Sequence, residues 1–527
     1  MKKLSERKKK WIERTVENDR SYKVFLYNRF FAFALSVLLQ VVGYAVLLLL
    51  LVYQSAYALV LQLVVFVLEI VFILYILNTH DRPSLKLNWI IAILVAPVFG
   101  VPMYLINGRG RPTRKMGERI ARAKAQNDEE ARAFFGEKEY GSEEGSLSRY
   151  LERYGGYPMY QDGNIEYYES GEKIFPVILE ELKKAEKYIF VEYFIIAHGR
   201  MWNEILKILV EKAMLGVKVR IVYDDFGCMM TLPPKYDRYL EGLHENIKCM
   251  TFNDVVPLFA VRMNNRDHRK LLVIDGKVAF TGGFNLADEY INEKRRFGYW
   301  KDSGLKLTGG AVNSFVRMFL WMWNAFRKDG EEVAAYLSPV TAEKREGFAV
   351  QPYDDSPLDK LSVGETAYMD IVNRAKKYVY IFTPYLVLDD AMRTALCQAA
   401  MRGVDVRIVT PGIPDKKMTY RLTRANYDIL LKAGVRIYEY SPGFIHSKSM
   451  VTDDECAVVG TINLDYRSLY HHFENAVYFS GCEAVAAVKR DAEETFALSK
   501  ERTEENFKRG VVGRLVDSLL RVFETLL

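Results

Sequence analysis

The chain has 527 residues, of which 50% are hydrophobic and 13% aromatic, so it is too long for one ordinary domain and can build large cores. Its formal net charge of +6 is modest for this length and does not by itself argue for nucleic-acid binding. The five cysteines are scattered, odd in number and without a C-x-x-C pair, which argues against a disulfide framework or a zinc site and favours a reducing compartment for the folded part.

Three apolar runs lie in residues 1–107, which we predict to be an N-terminal membrane anchor. Residues 30–52 are uncharged and long enough to cross roughly 30 Å of hydrocarbon. Residues 56–77 form a second run with one acidic residue. The third run, residues 89–106, is shorter and is interrupted by two prolines and a glycine. A cleavable signal peptide fits poorly, because the first run is too long and a second follows at once.

Basic residues flank these runs on both sides, with seven in residues 2–14 and seven in residues 109–124. Because basic flanks favour the cytoplasm, we predict a multi-pass protein of the cell membrane with its catalytic part in the cytoplasm. Two crossings, 30–52 and 56–77, satisfy both flanks, and 89–106 is then a re-entrant or interfacial segment. Three crossings stay open as an alternative, although one basic flank would then lie outside. The flanks should also contact anionic lipid headgroups.

An internal repeat follows this region. The same order of strand, helix and strand is predicted twice, over residues 187–194, 201–215 and 217–222, and again over residues 377–381, 390–401 and 404–409. A period of about 180 residues is too long for a solenoid. The sequence therefore predicts an α/β fold with two duplicated halves, residues 151–335 and 336–500, packed face to face around one site.

Two further segments flank the halves. We predict residues 108–150 to be a charged linker. Residues 501–527 carry an apolar stripe at helical spacing, which predicts a C-terminal amphipathic helix. That helix either docks on the core or lies on the membrane surface, and the sequence leaves both open.

Matched polar residues recur once in each half. From His268 and from His446, a lysine follows at plus two, an aspartate at plus seven, a glycine at plus fourteen and an asparagine at plus seventeen. The matched residues are Lys270, Asp275, Gly282 and Asn285 in the first half, and Lys448, Asp453, Gly460 and Asn463 in the second. A lone H-x-K would more often be an exposed basic patch, but five matched positions in both halves indicate a functional site.

The spacing has a physical interpretation. Residues i and i+2 of a strand share a face, so the histidine and the lysine of each motif point the same way. The aspartate then lies in a turn that joins two hairpin strands. The glycines after the second strand would let backbone N–H groups approach a phosphate. Each half thus supplies one imidazole, one ammonium and one amide to a site for a phosphodiester.

These residues resemble the paired H-x-K-x4-D motifs of the phospholipase D superfamily, over about residues 165–480. The flanking stretches 282–290 and 460–468 are similar to bacterial cardiolipin synthases. The resemblance implies two phospholipase D-like halves that form one pseudo-twofold catalytic unit behind a transmembrane region. Gly283 and Thr461 stand where the family often has serine, and Gly283 would lose one hydroxyl contact to phosphate. That loss argues slightly against the hypothesis that the protein is a hydrolytic nuclease.

The resemblance implies a covalent phosphohistidine mechanism without cofactor or metal. The substrates would be two phosphatidylglycerol molecules, and the products cardiolipin and glycerol. A phospholipase D-type hydrolase or another phosphatidyltransferase is the alternative. We expect no nucleic-acid partner, since the charge lies at the membrane flanks, and intact motifs in both halves argue against a non-enzymatic scaffold. The sequence does not fix the oligomeric state.

The resemblance also implies roles for individual residues. His268 would be the nucleophile and His446 the acid/base, but the near-symmetry of the motifs leaves the reverse open. Four side chains would neutralise the phosphoryl oxygens: Lys270, Lys448, Asn285 and Asn463.

Each histidine needs a carboxylate on its far nitrogen. We predict Asp302 and Glu474 for this role, and their alternative is that they are ordinary strand-end acids. Asp275 and Asp453 belong to the motif and would be assigned to the active site by it. Their turn position, a full strand away from the histidines, favours a structural role.

Overall fold

The computed structural model describes residues 42, 45, 58–79, 83–95, 100–101, 104–105, 114–136, 146–254, 265–340, 343–358, 362–507 and 510–521. The predicted crossing over residues 30–52 lies outside the described residues, apart from two isolated helical positions.

Two apolar helices open the described chain, α1 (Ala58–Leu77) and α2 (Pro83–Val95). Ile76, Trp89 and Ile93 pack together in a small apolar cluster between them. A Cβ on Gly100 would lie 2.7 Å from the carbonyl oxygen of Ala92, so the chain returns closely onto α2. Within the part of the chain that the structure describes, none of the helices combines the length and the hydropathy that a membrane crossing needs.

The predicted charged linker contains two docked helices, α3 (Arg114–Phe135) and α4 (Ser146–Gly155). Ile120, at 0% exposure, is one of several residues at helical spacing that α3 buries against the core. The amide of Asn127 donates to the carbonyl oxygen of Arg317 at 2.8 Å. The described part of residues 108–150 is therefore not a linker, because the apolar face of an otherwise charged helix packs on the core.

The first half is built on a seven-stranded sheet in the order β1-β8-β6-β5-β2-β3-β4. Its elements, in chain order, are β1 (Asn164–Tyr168), α5 (Gly171–Lys184), β2 (Tyr188–Tyr193), α6 (Arg200–Met214), β3 (Lys218–Asp224), α7 (Asp225–Cys228), α8 (Tyr236–Leu243), β4 (Ile247–Phe252), β5 (Lys270–Ile274), β6 (Val278–Gly282), β7 (Tyr299–Lys301), β8 (Gly304–Thr308) and α9 (Val312–Phe326). β2, β3 and β4 are parallel, as strands joined by helical crossovers must be. All six residues of β2 are buried, which explains why it is apolar on both faces except at Glu192.

The second half repeats this plan on an eight-stranded sheet in the order β17-β12-β11-β10-β14-β15-β16-β9. Its elements are β9 (Ala349–Asp355), α10 (Val363–Arg374), β10 (Tyr378–Phe382), α11 (Asp390–Met401), β11 (Asp405–Pro411), α12 (Lys417–Ala425), α13 (Tyr427–Lys432), β12 (Arg436–Tyr440), β13 (Gly443–Ile445), β14 (Ser449–Thr452), β15 (Cys456–Gly460), α14 (Tyr466–Tyr470), β16 (Glu474–Ser480), α15 (Glu483–Ala497) and β17 (Ser499–Arg502). The predicted α/β fold with two duplicated halves is confirmed.

The last described helix, α16 (Val511–Arg521), docks on the second half. Asp517 pairs with Arg421 at 2.8 Å, and Leu520 packs beside the buried Leu422. Of the two alternatives for this helix, its described side chains favour docking on the core.

Candidate active site

The two motif histidines lie where the halves meet. The backbone N–H of His268 donates to the carbonyl oxygen of Phe473 at 2.8 Å, and that of His446 donates to Lys301 at 2.7 Å. β13 also runs parallel to β7, which places the segment before His446 against the first half. Each histidine is thus held by backbone of the opposite half, so both halves are needed to form the site.

The two predicted carboxylates contact the histidines in a crossed arrangement. Nδ1 of His268 lies 2.8 Å from Oε2 of Glu474, a residue of the second half. Nδ1 of His446 lies 2.7 Å from Oδ2 of Asp302, a residue of the first half. Both acids are fully buried and both histidines are nearly so. Because Nδ1 is occupied in each ring, Nε2 is the nitrogen left to act on a substrate.

The motif lysines lie beside their own histidines. Nζ of Lys270 donates to the carbonyl oxygen of His268 at 2.7 Å. Nζ of Lys448 donates to the carbonyl oxygen of His446 and lies 2.9 Å from its Nδ1. An ammonium carries three N–H donors, so each lysine keeps donors for an anion. The site therefore offers two buried cations next to two imidazoles.

Hydrogen bonds to neighbouring groups hold the side chains of the two motif asparagines in place. Nδ2 of Asn285 donates to the hydroxyl of Tyr290 at 2.6 Å, and its Oδ1 accepts from the N–H of Ile195 at 3.1 Å. Nδ2 of Asn463 donates to the hydroxyl of Ser468 at 3.0 Å. Each amide nitrogen has a second hydrogen, which leaves one donor for a phosphoryl oxygen.

Gly283 does not offer its backbone N–H to a phosphate, contrary to our prediction for the glycines after the second strand. Its N–H donates to the carbonyl oxygen of Ser303 at 3.0 Å, so that N–H is not free for a phosphate. A Cβ at this position would lie only 2.0 Å from Oδ1 of Asp302. The missing side chain makes room for the carboxylate that holds His446.

Thr461, at the equivalent position of the second half, also serves a carboxylate. Its hydroxyl donates to Oε2 of Glu474, the same oxygen that faces His268. Its N–H donates to the carbonyl oxygen of Asn475 at 2.9 Å. Thr461 therefore supports the carboxylate that faces His268.

Asp275 and Asp453 are not brought to the histidines. Asp275 lies at the far end of β5 and accepts from the N–H groups of residues 186, 187 and 188 at 2.7–2.8 Å. Asp453 accepts from those of residues 376, 377 and 378 at 2.7–2.9 Å. The strand separates each aspartate from its histidine by roughly 20 Å. The contacts of Asp275 and Asp453 therefore favour the structural role over the motif-based assignment to the active site.

Burial controls the protonation of the site. It lowers the pKa of His268 well below the ordinary histidine value, against the opposing charge of Glu474. It also lowers the pKa of His446 well below that value, and there the charges of Lys448 and Lys270 add to the effect. Both imidazoles are therefore neutral near pH 7 in the free protein.

The two carboxylates differ electrostatically. Burial raises the pKa of Asp302 to about 6, although the charge of Lys448 opposes it. Burial would raise the pKa of Glu474 as well, but its interaction with His268 holds that pKa well below the ordinary value. Glu474 is thus the more persistent anion, which breaks the symmetry of the two motifs.

The chain is similar to known proteins over most of its length. Residues 178–306 and 368–496 match the family model described as cardiolipin synthase, PLD-like domain. Residues 67–109 match the model described as phospholipase D-nuclease N-terminal. A cardiolipin synthase of Alkalihalophilus pseudofirmus is 32% identical over 88% of this chain and 93% of its own length. The chain belongs to the cardiolipin synthase family of the phospholipase D superfamily.

The chain has two further similarities, one in sequence and one in fold. An uncharacterised protein of Streptococcus mutans is 44% identical over 85% of this chain and 99% of its own length. The crystal structure of phosphatidylserine synthase from Haemophilus influenzae shares the fold, with a TM-score of 0.54 and 16% identity over 73% of this chain and 100% of that one. Family membership places the chain among the phospholipase D-like phosphatidyltransferases.

For this family member we predict a bell-shaped dependence of kcat/KM on pH. Below about pH 6, Asp302 gains a proton and no longer accepts from His446. Above about pH 7, Lys448 loses its proton, because burial lowers the pKa of its ammonium to about 7. Activity should therefore fall on both sides of this interval, measured as kcat/KM to report on the free enzyme.

The variant Lys448→Arg should move the alkaline limb upward, because a guanidinium stays charged and the pKa of Lys270, lowered by burial to about 8, then sets that limb. An alkaline limb that stays in place in this variant would contradict the assignment.

For Asp275 we predict an effect on stability and not on catalysis. The variant Asp275→Ala loses the acceptors for three backbone N–H groups and places alanine at a φ of 53°. The free energy of unfolding should fall by about 3 kcal/mol. Asp275→Asn, which keeps an acceptor and tolerates that backbone conformation, should lose less. Denaturant unfolding measures both. A fall in kcat without a fall in stability would instead place Asp275 in the active site.

His472 lies beside the site, although the spacing of the motifs did not single it out. The ring of His472 lies 5.6 Å from that of His268, and its Nδ1 lies 3.6 Å from Oε1 of Glu474. The available signal was its position two residues before Glu474, one of the two predicted carboxylates.

The sequence also indicated no cluster of metal ligands, whereas the structure contains a possible one. Among the described residues, the ligand atoms of His268, His472 and Glu474 lie within 4.8 Å of one another. These three side chains could hold a metal ion.

Proposed function

We propose that this protein is a cardiolipin synthase, which transfers a phosphatidyl group from one phosphatidylglycerol to another and gives cardiolipin and glycerol. The observation that carries the proposal is the crossed pair of His–carboxylate contacts with two buried lysines in one site. Relatives at 32–33% identity that are named cardiolipin synthases support the choice of lipid.

In the first half-reaction, Nε2 of His268 attacks the phosphorus, and the bond from phosphorus to the glycerol oxygen breaks. The departing alkoxide takes a proton from Nε2 of His446. We assign His268 as nucleophile because Glu474 remains an anion behind it. We assign His446 as acid because the nearby lysine charges lower its pKa, which makes it the stronger proton donor once protonated.

Binding of the substrate favours protonation of His446. A bound phosphodiester brings a negative charge next to His446, which favours the imidazolium. Lys270, Lys448 and the two asparagine amides donate to the phosphoryl oxygens, where charge accumulates in the transition state.

In the second half-reaction, the terminal hydroxyl of a second phosphatidylglycerol gives its proton to His446 and attacks the phosphorus. The bond between phosphorus and His268 breaks, and cardiolipin is released. The atoms balance without water, so access of water to the phosphohistidine decides between synthase and hydrolase.

The exposed apolar surface of α1 and α2 supports a membrane location. Leu63, Phe66 and Leu74 are among several large apolar side chains that are more than half exposed there. Such a patch is unusual on a water-exposed surface. The hydroxyl of Tyr466, three residues after Asn463, donates to Ser84 at 3.0 Å, which ties α2 to the catalytic part. We propose that residues 1–107 hold the site at the membrane, with the catalytic part in the cytoplasm as the basic flanks predict.

The test is incubation of the purified full-length protein with radiolabelled phosphatidylglycerol as the only lipid. We expect labelled cardiolipin and free glycerol in equal amounts. Phosphatidic acid without cardiolipin would show a hydrolase. Cardiolipin formation only after addition of another phospholipid would show a different phosphatidyl donor, and both outcomes would overturn the proposal.

A further inference from the structure

Two side chains beside His268 carry polar atoms that the structure leaves without a hydrogen-bond partner. Glu474 is fully buried, and its Oε2 faces His268 and Thr461, but its Oε1 has no hydrogen-bond partner. Both ring nitrogens of His472 are also buried without one. Oε1 and Nδ1 of His472 lie 3.6 Å apart, which is too long for a hydrogen bond. Buried polar atoms in this state call for a ligand.

The spacing of these atoms suits a divalent transition metal. The ligand atoms of His268, His472 and Glu474 lie within 4.8 Å of one another. Zinc binds imidazole nitrogen and carboxylate oxygen at about 2.1 Å, so two ligands of a tetrahedral ion lie about 3.4 Å apart. Small rotations of the side chains would bring the three ligands to that distance. Two histidines and one glutamate form a known donor set for zinc that leaves a fourth position open.

The residue that corresponds to His472 in the first half cannot bind a metal ion. Trp300 precedes Asp302 by two residues, as His472 precedes Glu474. An indole N–H is a donor only and offers no lone pair to a metal. The asymmetry confines the possible metal ligands to the side of His268.

We propose that His268, His472 and Glu474 form a zinc-binding site, and that zinc bound there inhibits the enzyme. A metal bound to the imidazole of His268 prevents its attack on phosphorus, and an ion on Glu474 removes the anion that orients the ring. The inhibition rests on the proposed function, whereas the binding of zinc does not.

Equilibrium dialysis with zinc alone, without lipid, tests the binding. The full-length protein in detergent is compared with His472→Asn and with His244→Asn as a matched control. His244 lies between α8 and β4, and its Nδ1 accepts from the N–H of Asn246 at 3.2 Å. We expect wild type and His244→Asn to bind one more zinc per chain than His472→Asn, whose affinity at this site should fall by at least about 10-fold. Equal zinc in wild type and His472→Asn, with both folded by denaturant unfolding, would overturn the site.

Turnover measured against rising zinc tests the inhibition. Within each variant, activity is expressed relative to the same protein without zinc, so that a lower basal rate does not matter. The zinc concentration for half inhibition should rise at least about 10-fold in His472→Asn and stay unchanged in His244→Asn. Chelation should restore the activity of the wild type. Zinc that binds at this site without slowing turnover would overturn the inhibition, and a protein without synthase activity would still report binding by dialysis.

Discussion

Replacement of His446 by alanine should leave an enzyme that forms the phosphohistidine but does not turn over. A phosphatidyl ester of p-nitrophenol needs no acid for departure of its leaving group. His446→Ala should therefore release a burst of one equivalent of p-nitrophenol and then stop, because no base activates the incoming alcohol. His268→Ala should give no burst. With phosphatidylglycerol, both variants should lose at least about 10³-fold in kcat.

The burst experiment decides between the two assignments that the symmetric motifs leave open. The phosphatidyl group of the trapped enzyme should be found on His268 by peptide mapping. A burst in His268→Ala, with the phosphatidyl group on His446, would reverse the roles. Unfolding curves of both variants serve as the control, since each histidine segment also bonds to the opposite half through its backbone.

The variants Glu474→Gln and Asp302→Asn should each lower kcat by about 10³–10⁴-fold, because an amide cannot hold the imidazole in the required tautomer. The crossed geometry predicts that they fail at different steps. Glu474→Gln disables His268 and should abolish the p-nitrophenol burst. Asp302→Asn disables His446 and should keep the burst but lose turnover.

A double-mutant cycle tests the crossing directly. His268→Ala combined with Glu474→Gln should be little worse than His268→Ala alone, because both changes remove one function. His268→Ala combined with Asp302→Asn provides the comparison, since these residues belong to different pairs. Equal coupling in both combinations would contradict the crossed pairs seen in the structure.

Much of the fold could be predicted from periodicity. The helix expected over residues 390–401 is α11, with the same bounds, and the strand expected over residues 187–194 is β2 within one residue at each end. These segments are predictable because each has one buried face or is buried throughout, which fixes the pattern of apolar residues. α3 was missed as part of the core because its buried stripe is narrow and contains alanines and Asn127, so its charged residues dominate the pattern.

Within the site, the local chemistry and the two carboxylates were predictable, but which carboxylate faces which histidine was not. The matched spacing shows that His268 and Lys270 lie together, since both belong to one short stretch of chain. Nothing in the spacing states that Glu474 faces His268, 206 positions away, or that Gly283 makes room for Asp302. His472 was not predicted for the same reason, because His268, whose ring lies beside it, belongs to the other half.

The sequence by itself therefore determined the duplicated α/β halves, the paired histidines and lysines, and the family to which they belong. Those features depend on side chains that are close in sequence. The regular geometry of strands and helices determines from their spacing which way such side chains point. The tertiary structure alone decided that the carboxylates cross between the halves and that the motif aspartates cap strands away from the site. It also decided that one histidine has the more persistent anion behind it. These properties arise from burial and from contacts between distant segments, which no spacing along the chain encodes.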